Sequence, residues 1–169
     1  ATVLDYDVGQ IETVRRFGWK AFYGDATRLD LLRTAGAGRA RVFVLAIDDV
    51  EQSVEVAKLV REHFPGLSIV ARARNVGHYY RLHALGVTLI ERETLDSALM
   101  SGRSVLELMG WERHAARTQA LRFRRHSIEL MQRMAPHSGD EKRLIALAKE
   151  GRQQLEALSG GSAGSRADV

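Results

Sequence analysis

The sequence contains no cysteine. Disulfides and thiolate-held metals are therefore excluded, and the chain fits a reducing compartment. Long hydrophobic runs are missing too: no stretch approaches the roughly 18–20 consecutive apolar residues of a membrane-spanning helix. Strong charge of either sign is also absent. Lys and Arg number 25 against 21 Asp and Glu, a net charge of +4, with the basic residues denser toward the C-terminus. An excess this small argues against a nucleic-acid partner, even for the arginine-rich stretch after Trp111. The six histidines form no H-E-x-x-H or other metal-ligand spacing. No nucleophile elbow or Ser/His/Asp arrangement is present. Only two prolines occur, and each interrupts a helical pattern.

What is there is a regular alternation. Apolar residues make up 45% of the chain, enough for a core. Through the first ninety residues, short apolar runs alternate with segments of helical spacing. Val3-Leu4 ends a strand, and Gly9 to Phe17 has Ile11, Val14 and Phe17 on one side. Ala21 to Tyr23 is a strand, followed by a short helix from Leu29 to Ala35 that stops near Gly36. "VFVLAI", Val42 to Ile47, is a continuous apolar run, as expected of a strand buried on both faces. Val50 to Phe64 is an amphipathic helix with Val54, Ala57, Val60 and Phe64 on one side, ended by Pro65-Gly66. "LSIVARA" is a strand, Val76 to Leu85 a helix, and Val87 to Ile90 the last strand. Such a βα alternation with short connectors predicts a parallel sheet with helices on both faces.

From Glu93 the strands stop. Helices are expected over Leu95–Met109 and Trp111–Met134, then a third, capped by Asp140, to about Leu158. The organisation is thus an α/β domain over 1–92, a helical arm over 93–158 and a disordered Gly/Ser-rich tail over 159–169.

In open parallel sheets, ligands bind beyond the carboxyl ends of the strands. Those ends carry Asp5 and Asp7, then Gly24-Asp25-Ala26-Thr27, then Asp48-Asp49, then Arg72 and Arg74, then Glu91. An acid after the second strand of a Rossmann unit accepts from ribose hydroxyls, so Asp5 favours NAD or an adenosine nucleotide over NADP. The glycine-rich phosphate turn belongs about 20 residues earlier, and Asp5 has four residues ahead of it. Either the chain is not a Rossmann unit, or it starts inside one. The second reading is preferred, and predicts two facing strand edges with unpaired backbone groups, because the absent strand is central in the order 3-2-1-4-5-6.

"VLDYD", "FYGDATRLDLL", "AIDD", "IVARAR", "HYYRLHALGV" and "ERET" with "GR" close behind follow one another in an order that resembles the RCK, or TrkA-N type, nucleotide-binding domain. More narrowly, Thr2 to Met134 resembles the cytoplasmic C-terminal region of Kef glutathione-gated potassium efflux systems. The resemblance implies a Rossmann-type sheet binding AMP or NAD(H), and a homodimer with helices exchanged or crossed between subunits. It also implies glutathione or its adducts at the dimer interface and an attached membrane potassium/proton antiporter domain. The setting would be the cytoplasmic face of a bacterial inner membrane, with an ancillary quinone-oxidoreductase-type subunit. By the same resemblance Asp5, beside Asp7, holds the ribose. Asp25 lines the adenine pocket with Ala26 and Thr27, Gly24 lets the backbone approach, and Thr27 starts the helix. Ala46, Ile47, Asp48 and Asp49 face the far end of the nucleotide. Arg72, Arg74 and Glu91 form the rim, with the arginines otherwise free to pair with Glu91 or Glu93. Arg103 pairs with a glutathione carboxylate. Nothing marks a hydride partner or proton donor, so the chain reads as a sensor rather than an enzyme. The competing reading is a fragment of an NAD-dependent oxidoreductase.

Overall fold

The computed structural model describes residues 1–160. Two compact units divide the chain, Ala1–Glu91 and a second from Arg92 onward. The first unit contains β1 (Thr2–Asp5), α1 (Val8–Arg16), β2 (Lys20–Tyr23), α2 (Leu29–Ala35), β3 (Val42–Leu45), α3 (Val50–His63), β4 (Ser68–Ala73) and α4 (Val76–Ala84). Strand β5 (Leu89–Arg92) runs to its end.

Local chemistry accounts for many of these boundaries. Asp7, Asp49 and Asn75 each accept a backbone N–H from the first turn of α1, α3 and α4 respectively, satisfying donors that a helix leaves unpaired. Gly36 ends α2 in the left-handed conformation, with φ of 102°.

The sheet is parallel but comes in two pieces. Strand β1 pairs with β2 in the register Thr2↔Lys20 to Asp5↔Tyr23. Strand β3 pairs with β4 from Val42↔Ser68 to Leu45↔Ala71, and β5 lies on the far side of β4. No ladder joins β1 to β3 among the described residues. Each therefore keeps one edge unpaired, as expected of a Rossmann-type sheet without its central strand.

Strand β3 shows the consequence. It does not bury both faces: Val42 is 52% and Val44 69% exposed, while Leu45 is 1% exposed. Alternate residues point to opposite faces, and only the Leu45 face is covered. Along α3 the buried set is Ser53, Val56, Ala57 and Val60, with Val54 and Phe64 only half-buried. The buried stripe is thus rotated from the expected one, toward Ser53 and Val56. Strand β4 alternates cleanly, burying Ile69, Ala71 and Ala73. With Leu82 and Val87 these form the main core of the unit, where a fully buried aliphatic side chain contributes about 1.5–3 kcal/mol.

The second unit is helical: α5 (Leu95–Leu108), α6 (Arg113–Met134) and α7 (Glu141–Gly160), with a 3-10 turn at Ala135–His137 containing Pro136. Asp140 starts α7 by accepting from Arg143 N at 3.0 Å. Arg124 pairs with Asp96 at 2.7 Å, joining α5 to α6, and Arg133 with Glu150 at 3.0 Å, joining α6 to α7. No α5 residue is buried, and Met100, Val105 and Leu108 stand exposed. Ser159 and Gly160, read as the start of a disordered tail, continue α7; the rest of that expectation lies outside the described residues. No described helix is long and apolar enough to cross a membrane.

Candidate functional site

The strand ends of the first unit are stitched together by polar side chains. At the end of β1, half-buried Asp5 accepts the Asp7 N–H at 2.9 Å, and Asp7 in turn accepts Gln10 N at 3.0 Å. The Gly24 N–H donates to Asp5 O at 2.8 Å, so the first two strand ends are tied through main chain. Gly24 has φ of 148°, and a Cβ there would lie 2.5 Å from Leu31 Cδ2. The positive φ is what favours glycine here, and Leu31 of α2 is the side chain that a Cβ would displace.

The next turn also departs from expectation. Helix α2 begins at Leu29 with Arg28 as its N-cap, which makes no side-chain cap bond. Thr27 therefore does not start the helix. Its N–H donates to Asp25 Oδ1 at 2.9 Å, a local carboxylate turn. The Thr27 N–H, and after it the Thr27 hydroxyl, hold the Asp25 carboxyl below its ordinary range. Asp25 Oδ1 also accepts from Gln52 Nε2 at 3.3 Å, a link from the β2 end to the first turn of α3.

On the other side of the unit, Asp48 is the anchor. Arg72 Nη2 donates to it at 2.5 Å and to Ala46 O at 2.8 Å, and Arg74 Nη1 lies 3.7 Å from the same carboxylate. The rim arginines thus have Asp48 as a partner across the β3–β4 ladder. Asp49 caps α3 through Gln52 N at 2.8 Å. Arg103 lies in the second unit and donates to Glu107 Oε1 at 2.6 Å.

One cleft of about 1060 Å³ collects most of the remaining groups. It is lined by Asp5, Asp7, Gly24 and Ala26 from the β1–β2 side, and by Ala46, Ile47, Asp48 and Asp49 from the β3 side. The cleft also runs along the unpaired edges, past Val3, Leu4 and Val42–Leu45, so its volume includes the gap between β1 and β3 as well as the space at the strand ends. Asp25, Thr27, Arg72, Arg74, Glu91 and Arg103 are not among the lining residues, although Asp25 meets the cleft through Gln52. Sequence reasoning missed Gln52 and Gln10, both of which line it. A signal existed for Gln52: it stands three residues after the capping Asp49, where a glutamine ordinarily folds back on its own cap. Here it reaches Asp25 instead.

The TrkA-N domain family matches residues 1–92. The chain belongs to that family. The potassium efflux system KefB C-terminal domain matches residues 97–161, and together the two make this an RCK domain of the Kef type. The glutathione-regulated potassium-efflux system protein KefC of Salmonella arizonae is 51% identical over 138 residues, 82% of this chain and 22% of that protein. KefC of Escherichia coli O139:H28 is 47% identical over 156 residues, 92% of this chain and 25% of that protein. The chain therefore spans a quarter or less of these relatives. Among solved structures, the Shewanella denitrificans Kef C-terminal domain in its AMP-bound form superposes with a TM-score of 0.73 at 38% identity, over 80% of this chain and 82% of that one. The TrkA-N domain of the Escherichia coli inner membrane protein ybaL has a TM-score of 0.55 at 21% identity, over 63% of this chain and 76% of that one, a likeness of fold alone.

Proposed function

We propose that this chain is the ligand-sensing regulatory region of a glutathione-gated potassium/proton antiporter, with AMP or NAD(H) in the cleft at the strand ends. The observation that carries the reading is the convergence of Asp5, the Gly24–Ala26 turn and Ala46–Asp49 on one cleft. Asp5 accepts from the ribose diol. Asp25, whose Oδ1 serves Thr27 and Gln52, acts on the adenine side through Gln52, which lines the cleft. The Asp48–Arg72–Arg74 cluster forms the rim at the far end. The unpaired edges of β1 and β3 support one further parallel strand between them, completing the Rossmann order. The AMP-bound relative supports an adenosine ligand.

In the same reading, the helical unit dimerises through the exposed apolar face of α5 and carries the glutathione-responsive Arg103. A ligand gates the attached membrane domain by binding its two states with different affinities. An ancillary quinone-oxidoreductase-type subunit fits the same assembly.

Thermal unfolding of the chain with saturating AMP or NADH tests the nucleotide claim. Binding at a hundredfold excess over Kd stabilises by about 2.7 kcal/mol, a visible rise in Tm. No shift with either nucleotide overturns the claim. Turnover of NADH with a small carbonyl substrate would favour the oxidoreductase reading instead.

A further inference from the structure

Two polar side chains are sealed inside the core beneath the rim. His78 on α4 is 1% exposed and Ser53 on α3 is 0% exposed, and His78 Nε2 lies 3.1 Å from Ser53 Oγ. On the other side of the ring, the backbone N–H of Arg74 donates to Nδ1 at 3.2 Å. The His78 N–H itself donates to Asn75 Oδ1 at 2.8 Å. A nitrogen that accepts a backbone N–H carries no proton. The ring is therefore the neutral Nε2–H tautomer, donating to Ser53.

We propose that His78 is a positioning residue for the rim: its unprotonated Nδ1 pins the Arg74 backbone to Ser53 on α3, and so keeps Arg72 and Arg74 on Asp48. That the rim belongs to a nucleotide site rests on the function proposed above; the pin itself does not. Buried polar groups are held in place because losing a partner leaves the other unsatisfied. Arg74 directly follows β4, and its backbone has no freedom while the pin holds. The charged groups facing His78 are Arg81 on its own helix, Glu51 on α3 and Arg74 at the end of β4. Arg81 and Glu51 pair with each other, Nη2 to Oε2 at 2.7 Å. Burial, and then the Arg81 charge, hold the ring's pKa below its ordinary 6.5. A protonated ring would turn an N–H toward the Arg74 N–H, leaving neither with an acceptor. Acid thus releases the Arg74 segment.

Nitrogen-15 NMR of the histidine ring, amide exchange at Arg74 and AMP titration calorimetry from about pH 8 down to pH 5.5 test this on the full chain. At neutral pH the spectra should show Nδ1 bare and Nε2 protonated, with the Arg74 amide protected. Protection should be lost as the ring titrates. AMP affinity should then fall about three- to tenfold, the worth of one ordinary hydrogen bond. AMP's own phosphate titrates near pH 6, so the difference between wild-type and His78→Asn profiles is read. Asparagine keeps an acceptor near the Nδ1 position at every pH, whereas glutamine reaches only the Nε2 position. His78→Asn should therefore retain Arg74 protection and flatten the pH response, and His78→Gln should lose the protection. A proton on Nδ1, an Arg74 amide indifferent to ring titration, or equal behaviour of the two variants overturns the proposal. If either variant fails to fold, the wild-type tautomer and exchange data decide alone. Absence of AMP binding to the wild type would sink the nucleotide reading and leave the pin to be judged by those data.

Discussion

The two halves of the α/β unit are built to different standards. Around β3–β5, residues Val56, Ala57, Val60, Ile69, Ala71, Ala73, Leu82 and Val87 are all 2% exposed or less. Around β1–β2, the buried set is Ile11, Ala21, Leu32 and Ala37, while Phe17, Trp19 and Tyr23 stand more than half exposed. The larger half is a frame that holds its own shape. The smaller half depends on main-chain ties such as Gly24 N to Asp5 O and on the Gln52–Asp25 hydrogen bond to α3. Stability is unevenly distributed in such a fold, and ligand-responsive parts come from its weaker end.

The strongest way to break this contrast is Leu82→Ala in the frame. It should cost about 2–5 kcal/mol, as buried leucine truncations do, and lower the urea midpoint of the whole unit. If β1–β2 probes then melt separately from β3–β5 probes, the halves are independent.

Gly24→Ala attacks the smaller half. Its positive φ and the 2.5 Å approach to Leu31 predict a loss of about 1–3 kcal/mol. Amide exchange should speed up in β1 and β2 first, and equal acceleration in β4 would erase the distinction.

Acid should loosen the frame from within. In the unfolded chain His78 takes its proton near pH 6.5, and in the folded unit only at lower pH. The folded state thus binds fewer protons in that window. The stability His78 contributes is complete above about pH 6.5, declines as pH falls below it, and levels off once the folded ring is charged. Denaturation midpoints of wild type and His78→Asn across that range should diverge on the acid side.

Asp48→Asn should change stability by less than about 1 kcal/mol, since its ion pairs are largely exposed. It should nevertheless weaken AMP binding by removing the carboxylate that draws Arg72 and Arg74 together. Gln52→Leu is the smallest expected effect, within about 0.5 kcal/mol on stability. It removes the cross-link between halves, so a measurable loss of AMP affinity without loss of Tm would show that the link serves the site. An unchanged affinity would confine Gln52 to packing.

Much of this was legible from residue order. The span of α2, the stop at Gly36 and the cap at Asp140 depend on groups acting within a few positions of themselves, and Asp7 and Asp49, read as site residues, also cap α1 and α3. The strand-end rule likewise brought Asp5, Gly24 and Asp48 to the same edge. Reading failed where the partner was distant. The exposure of Val42 and Val44 depends on what lies beside β3, and the close approach at Gly24 on a leucine seven residues away in the next helix.

By itself, then, the sequence determined the βα alternation, the helical arm and the acidic character of the strand ends, because periodicity and capping act over one or two turns. Only the tertiary structure decided that both rim arginines meet Asp48, that Gln52 reaches Asp25 and that His78 is buried against Ser53. Each of those contacts joins residues far apart in the chain, and packing alone settles which side chains come within a hydrogen bond's length.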